Sequence, residues 1–517
     1  MSHVLDEVVE GIEPLPELVS IMADSKSPLL LSLDIGTSGV RAALFNERGV
    51  ELNGASVRLN RWHAGTTSFD VVDPEDLLAQ VSETLDSLFA KLYEALTPIQ
   101  WVAVSCFWQS LVGVDEAGRA TTPVYGWADA SAATAVERLR SELDEQKFHQ
   151  RTGCRFHSSY WPAKLLRLRD DQPEIFKTTK RWLSFSEYLT LRLFGETAAS
   201  ISMASGTGLL NQRTCEWEKD LLGFLNVRPE QLPEIASPTQ TFHSFLPAYS
   251  VRWPQLSEAR WFPAIGDGAA NNIGGGCCSK EKVALMIGTS GAMRVLFSGP
   301  PPSDLPPELW CYRADRDRVV IGGALSDGGG LYNWIKESML YGQDAESIEE
   351  ELSRMPPDSH GLTVLPFWAG ERSTGWSTNA RGAILGLTSQ TQPVDILRAA
   401  MEAVAYRFAL IWKAIEPFAP HASLVAAGYA LRSSSAWVQI LADVLGKQIG
   451  ISESTEASTR GAALLALEVT GKIDRLENIS VPIESMFDPN MSRHASYQDG
   501  RERQQQMYDR LICQKPT

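Results

Sequence analysis

The sequence is short of several things, and each shortage removes a class of protein. Its 517 residues hold only seven cysteines, at 106, 154, 215, 277, 278, 311 and 513. The number is odd and no C-x-x-C spacing occurs, so neither a disulfide framework nor a zinc ribbon is encoded. Positive charge is scarce: 47 Lys and Arg stand against 63 Asp and Glu, a formal net charge of -16. That background opposes nucleic acid or an anionic membrane surface as a partner. No run approaches the roughly 18 uninterrupted apolar residues of a membrane span, and the start MSHVLDEVVEGIEPLPEL is acidic where a signal peptide would be basic. The expectation is a cytoplasmic protein with reduced thiols.

What is there reads as globular. Hydrophobic residues make up 44% and charged ones 21%, near the average of folded soluble domains, and the length exceeds what one core usually fills, which favours two large lobes. Residues 1–27 are acidic, carry Pro14 and Pro16, and read as an extension. From Leu29 the run LLLSLDIGTSGVRAALFNERGVEL shows strands around a Gly/Ser/Thr turn and then a polar turn, a meander. Helical patterns at 74–95 and 131–148 flank a strand-like segment at 101–107. The turn IGTSG at 35–39 returns at 287–291, in LDIGTSGVRAALF and LMIGTSGAMRVLF. So wide an interval suits a duplicated lobe rather than a solenoid. The lobes are expected at 28–260 and 261–517, with a nucleotide between the two turns and hinges near 260 and 365–375.

Three features of the motifs carry chemistry. In each turn, glycine lets a ligand approach the backbone while hydroxyls and N–H groups cradle phosphate oxygens; the residues are Gly36, Thr37 and Ser38, then Gly288, Thr289 and Ser290, with Arg41 and Arg294 as nearby charge. Asp34 ends the strand before the first turn, where a carboxylate suits Mg2+ beside a phosphate cradle. Asp267, in AIGDGAANNIGGGCC, precedes small residues and on its own reads as a helix N-cap.

The two phosphate turns, GDGAANNIGGG, GYALRSSSAWVQILADVLG and LPFWAGERSTGWSTNARGAILGLT together resemble the FGGY carbohydrate kinases, from Leu29 to about Gly471. The resemblance implies an α/β fold of two actin-like, RNase H-like lobes with ATP and Mg2+ in the cleft between them. It implies in-line transfer of the γ-phosphoryl group to a hydroxyl, with Asp267 as the catalytic aspartate. Residues 427–431 fall where the family binds adenine, giving Gly428 and, in place of the usual second glycine, Tyr429.

Within that family, GCRFHSSYWPAKLLRL, FSEYLTLRLFGE and SMASGTGLLNQRTCEW are most similar to the gluconate kinases. The acceptor site is expected from side chains that both donate and accept, backed by aromatic faces: Trp108, Gln109, Trp127, Asp129, His157 and Tyr160, beside Asp267. Gluconate would also need a cation at its distal end, for which Arg155 and Lys164 are the candidates in the matching segment. Five positions depart from the pattern: Gln109 for a commoner histidine, Ser326 and Asp327 for amides, Arg167 for a tryptophan, and Tyr429. The extra carboxylate of Asp327 would disfavour an acid. The alternatives are a kinase of a neutral ketose or polyol and a non-catalytic sugar or nucleotide sensor that signals by lobe closure; retention of Asp34 and Asp267 argues against the sensor. Apolar positions in Trp-rich segments would suit a homodimer.

Overall fold

The computed structural model describes residues 28–60, 70–92 and 98–513, so the expected extension at 1–27 lies outside the described residues. Strands β1 (Leu29–Ile35), β2 (Gly39–Phe45) and β3 (Glu51–Asn60) form the expected antiparallel meander. Helix α1 (Pro74–Leu92) opens on proline and buries Leu77, Leu78, Val81, Leu85 and Leu88, one apolar stripe at helical spacing. It leads to β4 (Ile99–Cys106), which lies parallel to β1. The segment expected as one helix at 131–148 is two, Ala133–Glu142 and Glu145–Thr152. Asp144 interrupts them because its carboxylate caps the second helix, accepting from the Lys147 amide at 3.0 Å. Helix α2 (Trp161–Asp171) follows.

The first sheet does not end at 260. Two short strands, β5 (Arg260–Trp261) and β6 (Ile265–Gly266), add parallel to β4 and continue the first lobe beyond the expected boundary. The chain needs this return because β4 would otherwise be a bare edge. Helix α3 (Asp267–Gly274) then leads into the second lobe.

There the meander repeats as β7 (Lys282–Ile287), β8 (Gly291–Ser298) and β10 (Arg318–Leu325), with β9 (Trp310–Arg313) on the outer edge of β10. Helices α4 (Gly329–Met339) and α5 (Pro393–Ile415) follow, then β11 (Ser423–Ala427), parallel to β7 as β4 is to β1. Short α6 (Tyr429–Arg432), α7 (Ser435–Leu445), β12 (Ile449–Ser452), α8 (Ala457–Val469), β13 (Ile483–Phe487) and α9 (Met491–Leu511) complete the lobe. The full strand order is β9-β10-β8-β7-β11-β12-β13. Duplication of the turn in sequence is therefore duplication of a whole sheet core.

The lobes are joined by more than a linker. Thr459 of α8 accepts through its carbonyl from the Ser32 hydroxyl of β1 at 2.7 Å. Helices α3 and α8 touch backbone to backbone: a β-carbon on Gly461 would stand 1.8 Å from the Ala270 carbonyl oxygen, and one on Gly274 would stand 1.8 Å from that of Ala457. On the far side, β9 lies against the first lobe, with Cys311 donating to the Gly153 carbonyl at 2.9 Å and His149 Nε2 meeting that of Leu309 at 2.8 Å. Among the described residues, no helix is long and apolar enough to cross a membrane.

Candidate active site

Strands β1, β4 and β6 run parallel, and their C-terminal ends deliver the polar residues. Asp34 is in register with Ser105 of β4, and Gly266 is in register with the next residue, Cys106. Asp267 follows directly and opens α3, so the two carboxylates flank one strand end. A crevice beyond the carboxyl ends of parallel strands is where open α/β sheets take ligands. Here the crevice is a cleft of about 450 Å³ lined from both lobes.

Its lining includes Thr37, Ser38, Gly288, Thr289, Ser290, Gly428 and Tyr429, together with Trp108, Gln109, Tyr160 and Asp267. The two turns thus face one space. The second is held by Gly288 donating to the Ser290 carbonyl at 3.0 Å and by the start of α4 folding back, Gly329 onto Gly288 at 2.8 Å and Gly330 onto Thr289 at 2.9 Å. Gly428 has φ +106, and a β-carbon there would stand 2.4 Å from the Ile287 carbonyl oxygen; only glycine lets the 427–431 loop come so near β7. Tyr429 is 77% exposed at the rim.

Asp267 is not the N-cap: Gly266 holds that position, and the Asp267 carboxylate accepts from the next amide, Gly268 N, at 2.8 Å. Burial raises its pKa, opposed by the Arg294 charge. Burial likewise lifts Asp34 to about 7, opposed by the neighbouring Ser105 hydroxyl and with the negative charges of Asp267 and Glu456 adding to the rise. A site that crowds carboxylates in this way calls for a cation. The donor set fits Mg2+, a hard ion that prefers carboxylate oxygen and phosphate ligands.

An aromatic wall forms part of the cleft. Tyr312 stacks on Trp310 at 4.1 Å between ring centroids and meets Trp108 edge-on at 4.9 Å. Its hydroxyl lies 2.6 Å from that of Tyr160 and accepts from Gln109 Nε2 at 3.0 Å. The Trp108 ring packs so tightly on Gly266 that a β-carbon there would come within 1.9 Å of it.

Five expected residues are absent from the cleft lining. Asp34 lies near the end of β1, and Gly36 opens the first turn with its amide donating to the Gly39 carbonyl at 2.9 Å. Arg41 is engaged elsewhere, 2.7 Å from Glu51 and 3.4 Å from Glu456; Arg58, its cross-strand partner on β3, takes its place in the cleft and reaches Ser38 Oγ at 3.2 Å. Asp129 is buried and accepts from the Ser131 amide at 2.9 Å. His157 is buried under Trp376, with Nδ1 3.0 Å from Ser159 Oγ, and burial followed by the Arg372 charge lowers its pKa to about 3, leaving it neutral. Trp127, expected as an aromatic face, does line the cleft.

Both expected distal cations are committed elsewhere. Arg155 pairs with Glu145 at 2.8 Å. Lys164 is fully buried on α2 and donates to the carbonyls of Gln109, Tyr125 and Gly126 at 2.8, 3.2 and 2.7 Å. It fastens the turn at Gln109, where φ is +65. Burial pulls its pKa down to about 7, opposed by Asp129. Asp327 does not intrude either: burial raises it to about 6, and its carboxylate accepts from the Ala369 amide at 2.9 Å, tying down the loop before Arg372.

Arg372, Tyr312, Trp310, Trp376, Asn333 and Thr455 line the cleft without having been singled out in the sequence. Arg372 and Trp376 were legible only as part of WAGERSTGW; Trp310 and Tyr312 come in on β9, Asn333 on α4 and Thr455 from the loop before α8.

The comparisons with known proteins agree with this geometry. The models of the N-terminal and C-terminal domains of the FGGY family of carbohydrate kinases match residues 29–274 and 283–468. A gluconokinase of Bacillus subtilis is 27% identical over 482 residues, 91% of this chain and 92% of its own length. The crystal structure of a gluconate kinase from Lactobacillus acidophilus superposes with a TM-score of 0.84 at 26% identity, covering 94% of this chain and 98% of that one. A xylulose kinase from the same organism gives 0.83, also at 26% identity and the same coverages.

Proposed function

The chain belongs to the FGGY family of carbohydrate kinases, and from that premise we propose that it transfers the γ-phosphoryl group of ATP to a hydroxyl of gluconate, giving 6-phosphogluconate. The observation that carries the reading is the position of Asp267 in a cleft lined by two hydroxyl-rich turns and by a wall of aromatic and amide groups. Similarity to gluconate kinases in both sequence and structure supports the acid as acceptor.

In this reading the turns at 36–38 and 288–290 hold the phosphates through backbone N–H groups and hydroxyls, with Arg58 adding charge. Adenine lies at the 427–431 loop. Trp108, Gln109, Tyr160 and Tyr312 orient the acceptor, its apolar face on the rings and its hydroxyls toward the amide and phenols. Asp267 accepts the hydroxyl proton as the acceptor oxygen bonds to phosphorus and the bond from phosphorus to the ADP oxygen breaks. Such a loose transition state asks for positioning more than for a strong base. Mg2+, held by Asp34 with phosphate oxygens, would neutralise charge on the transferred group. Lobe closure over the acceptor would exclude water and limit ATP hydrolysis.

ADP release with Mg-ATP, measured against gluconate, other sugar acids, ketoses, aldoses and polyols, tests the proposal. Turnover of gluconate that is lost in Asp267→Ala is expected. A second reading, a neutral ketose or polyol as acceptor, draws on the nearly equal superposition of the xylulose kinase; turnover confined to such acceptors would select it. Silence with every acceptor would leave a sugar or nucleotide sensor.

A further inference from the structure

Two arginines in the cleft form no ion pair, although the charge of Asp267 acts on both. Among the described residues, neither Arg294 nor Arg372 lies within ion-pair distance of a carboxylate, although both line the cleft that contains Asp267. Arg294 leaves Nε and Nη1 buried with no hydrogen-bond partner, and Arg372 leaves Nε so. Burying guanidinium groups without acceptors costs free energy, and groups kept in that condition inside a cleft are candidates for ligand contact.

Their mounting is rigid. Arg294 projects from β8 over the start of α3, so that a β-carbon on Gly268 would come within 3.0 Å of its Nε. It stands opposite Ala284 as Arg41 stands opposite Asp34, which puts both arginines on the equivalent face of their sheets; Arg41 is spent on Glu51 and Glu456, whereas Arg294 forms no ion pair among the described residues. Arg372 lies 4.5 Å over the Trp127 ring and donates to the Leu325 carbonyl at 2.8 Å. The preceding Glu371 is locked by Arg407 at 2.5 Å and by the Tyr508 hydroxyl at 2.6 Å, and the following Ser373 donates to the Ala324 carbonyl at 2.9 Å. Burial brings Arg294 down to about 10, opposed by the charge of Asp267 and reinforced by that of Arg372.

We infer that Arg294, assisted by Arg372, is the receptor for a carboxylate carried by the acceptor, and so the determinant that separates a sugar acid from its neutral analogue. The inference rests on the gluconate reading above. An anion between two cations relieves their repulsion and fills the empty donor positions, and guanidinium groups suit the paired oxygens of a carboxylate. A phosphate of ATP has the same chemistry, and Arg372, which stands on Trp127, also reaches the carbonyl of Leu325 opposite Gly291 of the second turn, so the two ligands are separated by titration.

The test compares gluconate with glucitol, which replaces the carboxylate by CH2OH, in calorimetric titrations of the full chain and of Arg294→Gln, Arg294→Lys and Arg372→Gln. A non-hydrolysable ATP analogue is titrated in parallel. The wild type should bind gluconate more tightly than glucitol. Arg294→Gln should weaken gluconate by about 10- to 100-fold, as expected for loss of a charged hydrogen bond, while changing glucitol and the ATP analogue by less than about threefold; Arg294→Lys should recover part of the loss. Equal weakening of gluconate and glucitol, or weakening of the ATP analogue alone, would overturn the inference. Gluconate turnover in the wild type with unchanged gluconate affinity in Arg294→Gln would overturn it and leave the gluconate reading standing. A wild type that ignores gluconate and binds only neutral acceptors would overturn both.

Discussion

Asp34 and Asp267 flank the C-terminal end of one strand, the first opposite Ser105 and the second following the residue opposite Cys106, and the charge of Asp267 helps hold Asp34 up at about 7. The carboxylate assigned to the metal and the one assigned to the acceptor proton are therefore electrostatically linked through a single strand. A cation at Asp34 lowers the field at Asp267, so loading of the metal and ionisation of the base favour one another.

Asp267→Asn removes the proton acceptor and keeps the size of the side chain. It should lower kcat by about 100- to 10,000-fold, the range of general-base contributions, with affinity for a non-hydrolysable ATP analogue changed by less than about threefold. Steady-state kinetics with a nucleotide titration check this. A variant retaining a tenth of wild-type turnover would remove Asp267 from the chemical step.

Asp34→Asn should abolish activity and yet stabilise the metal-free fold. With a folded pKa of about 7 against an ordinary 3.8, the native state holds a proton that the unfolded chain has already lost. Stability conferred by this residue thus falls as pH rises from about 4 to 7 and levels off above. The asparagine should gain about 2 kcal/mol above pH 7, after discounting for water in the cleft, and the gain should fade toward pH 4. Thermal unfolding of both proteins without Mg2+ across that range is the measurement, and a variant less stable than wild type at pH 8 would contradict the crowded-carboxylate account.

The duplicated core was legible because the IGTSG turn and its flanking strands are local patterns. So were Thr37, Ser38, Thr289 and Ser290, which a turn presents wherever its lobe goes. The substrate end was less so. Tyr312 reaches Tyr160 only because β9 of the second lobe docks against the first, a contact across 152 residues with no periodic trace. Lys164 and Arg155 matched the pattern of a substrate cation but are consumed by carbonyls and by Glu145. Arg372 lay within a quoted segment, yet which of its charges faced the cleft depended on Glu371 being neutralised by Arg407. Charge in a sequence does not reveal its partners.

Lys164→Met tests the structural role of that lysine. Three carbonyls lose their shared donor; those of Tyr125 and Gly126 keep the amides of Leu111 and Asp129, while that of Gln109 is left without one, so stability should fall by about 1–3 kcal/mol. Because Gln109 loses its anchor, KM for the acceptor should rise while KM for ATP holds. A change confined to the ATP side would show that the lysine does not position Gln109.

Gly428 and Tyr429 are neighbours with opposite expectations. At Gly428, alanine must take φ +106 with its β-carbon 2.4 Å from the Ile287 carbonyl oxygen, which either strains the loop or lifts it from β7. The variant should lose about 1–3 kcal/mol of stability, and affinity for an ATP analogue should fall at least about tenfold, since a loop displaced by an ångström no longer meets the nucleotide. Tyr429→Gly removes a side chain that is 77% exposed, so stability should change by less than about 1 kcal/mol. If its ring stacks on adenine, the ATP analogue should bind more weakly by a few-fold, as stacking energies imply. Titrating both variants with the analogue, alongside thermal unfolding, separates the two residues; nucleotide affinity untouched in Gly428→Ala would move the adenine site away from the 427–431 loop.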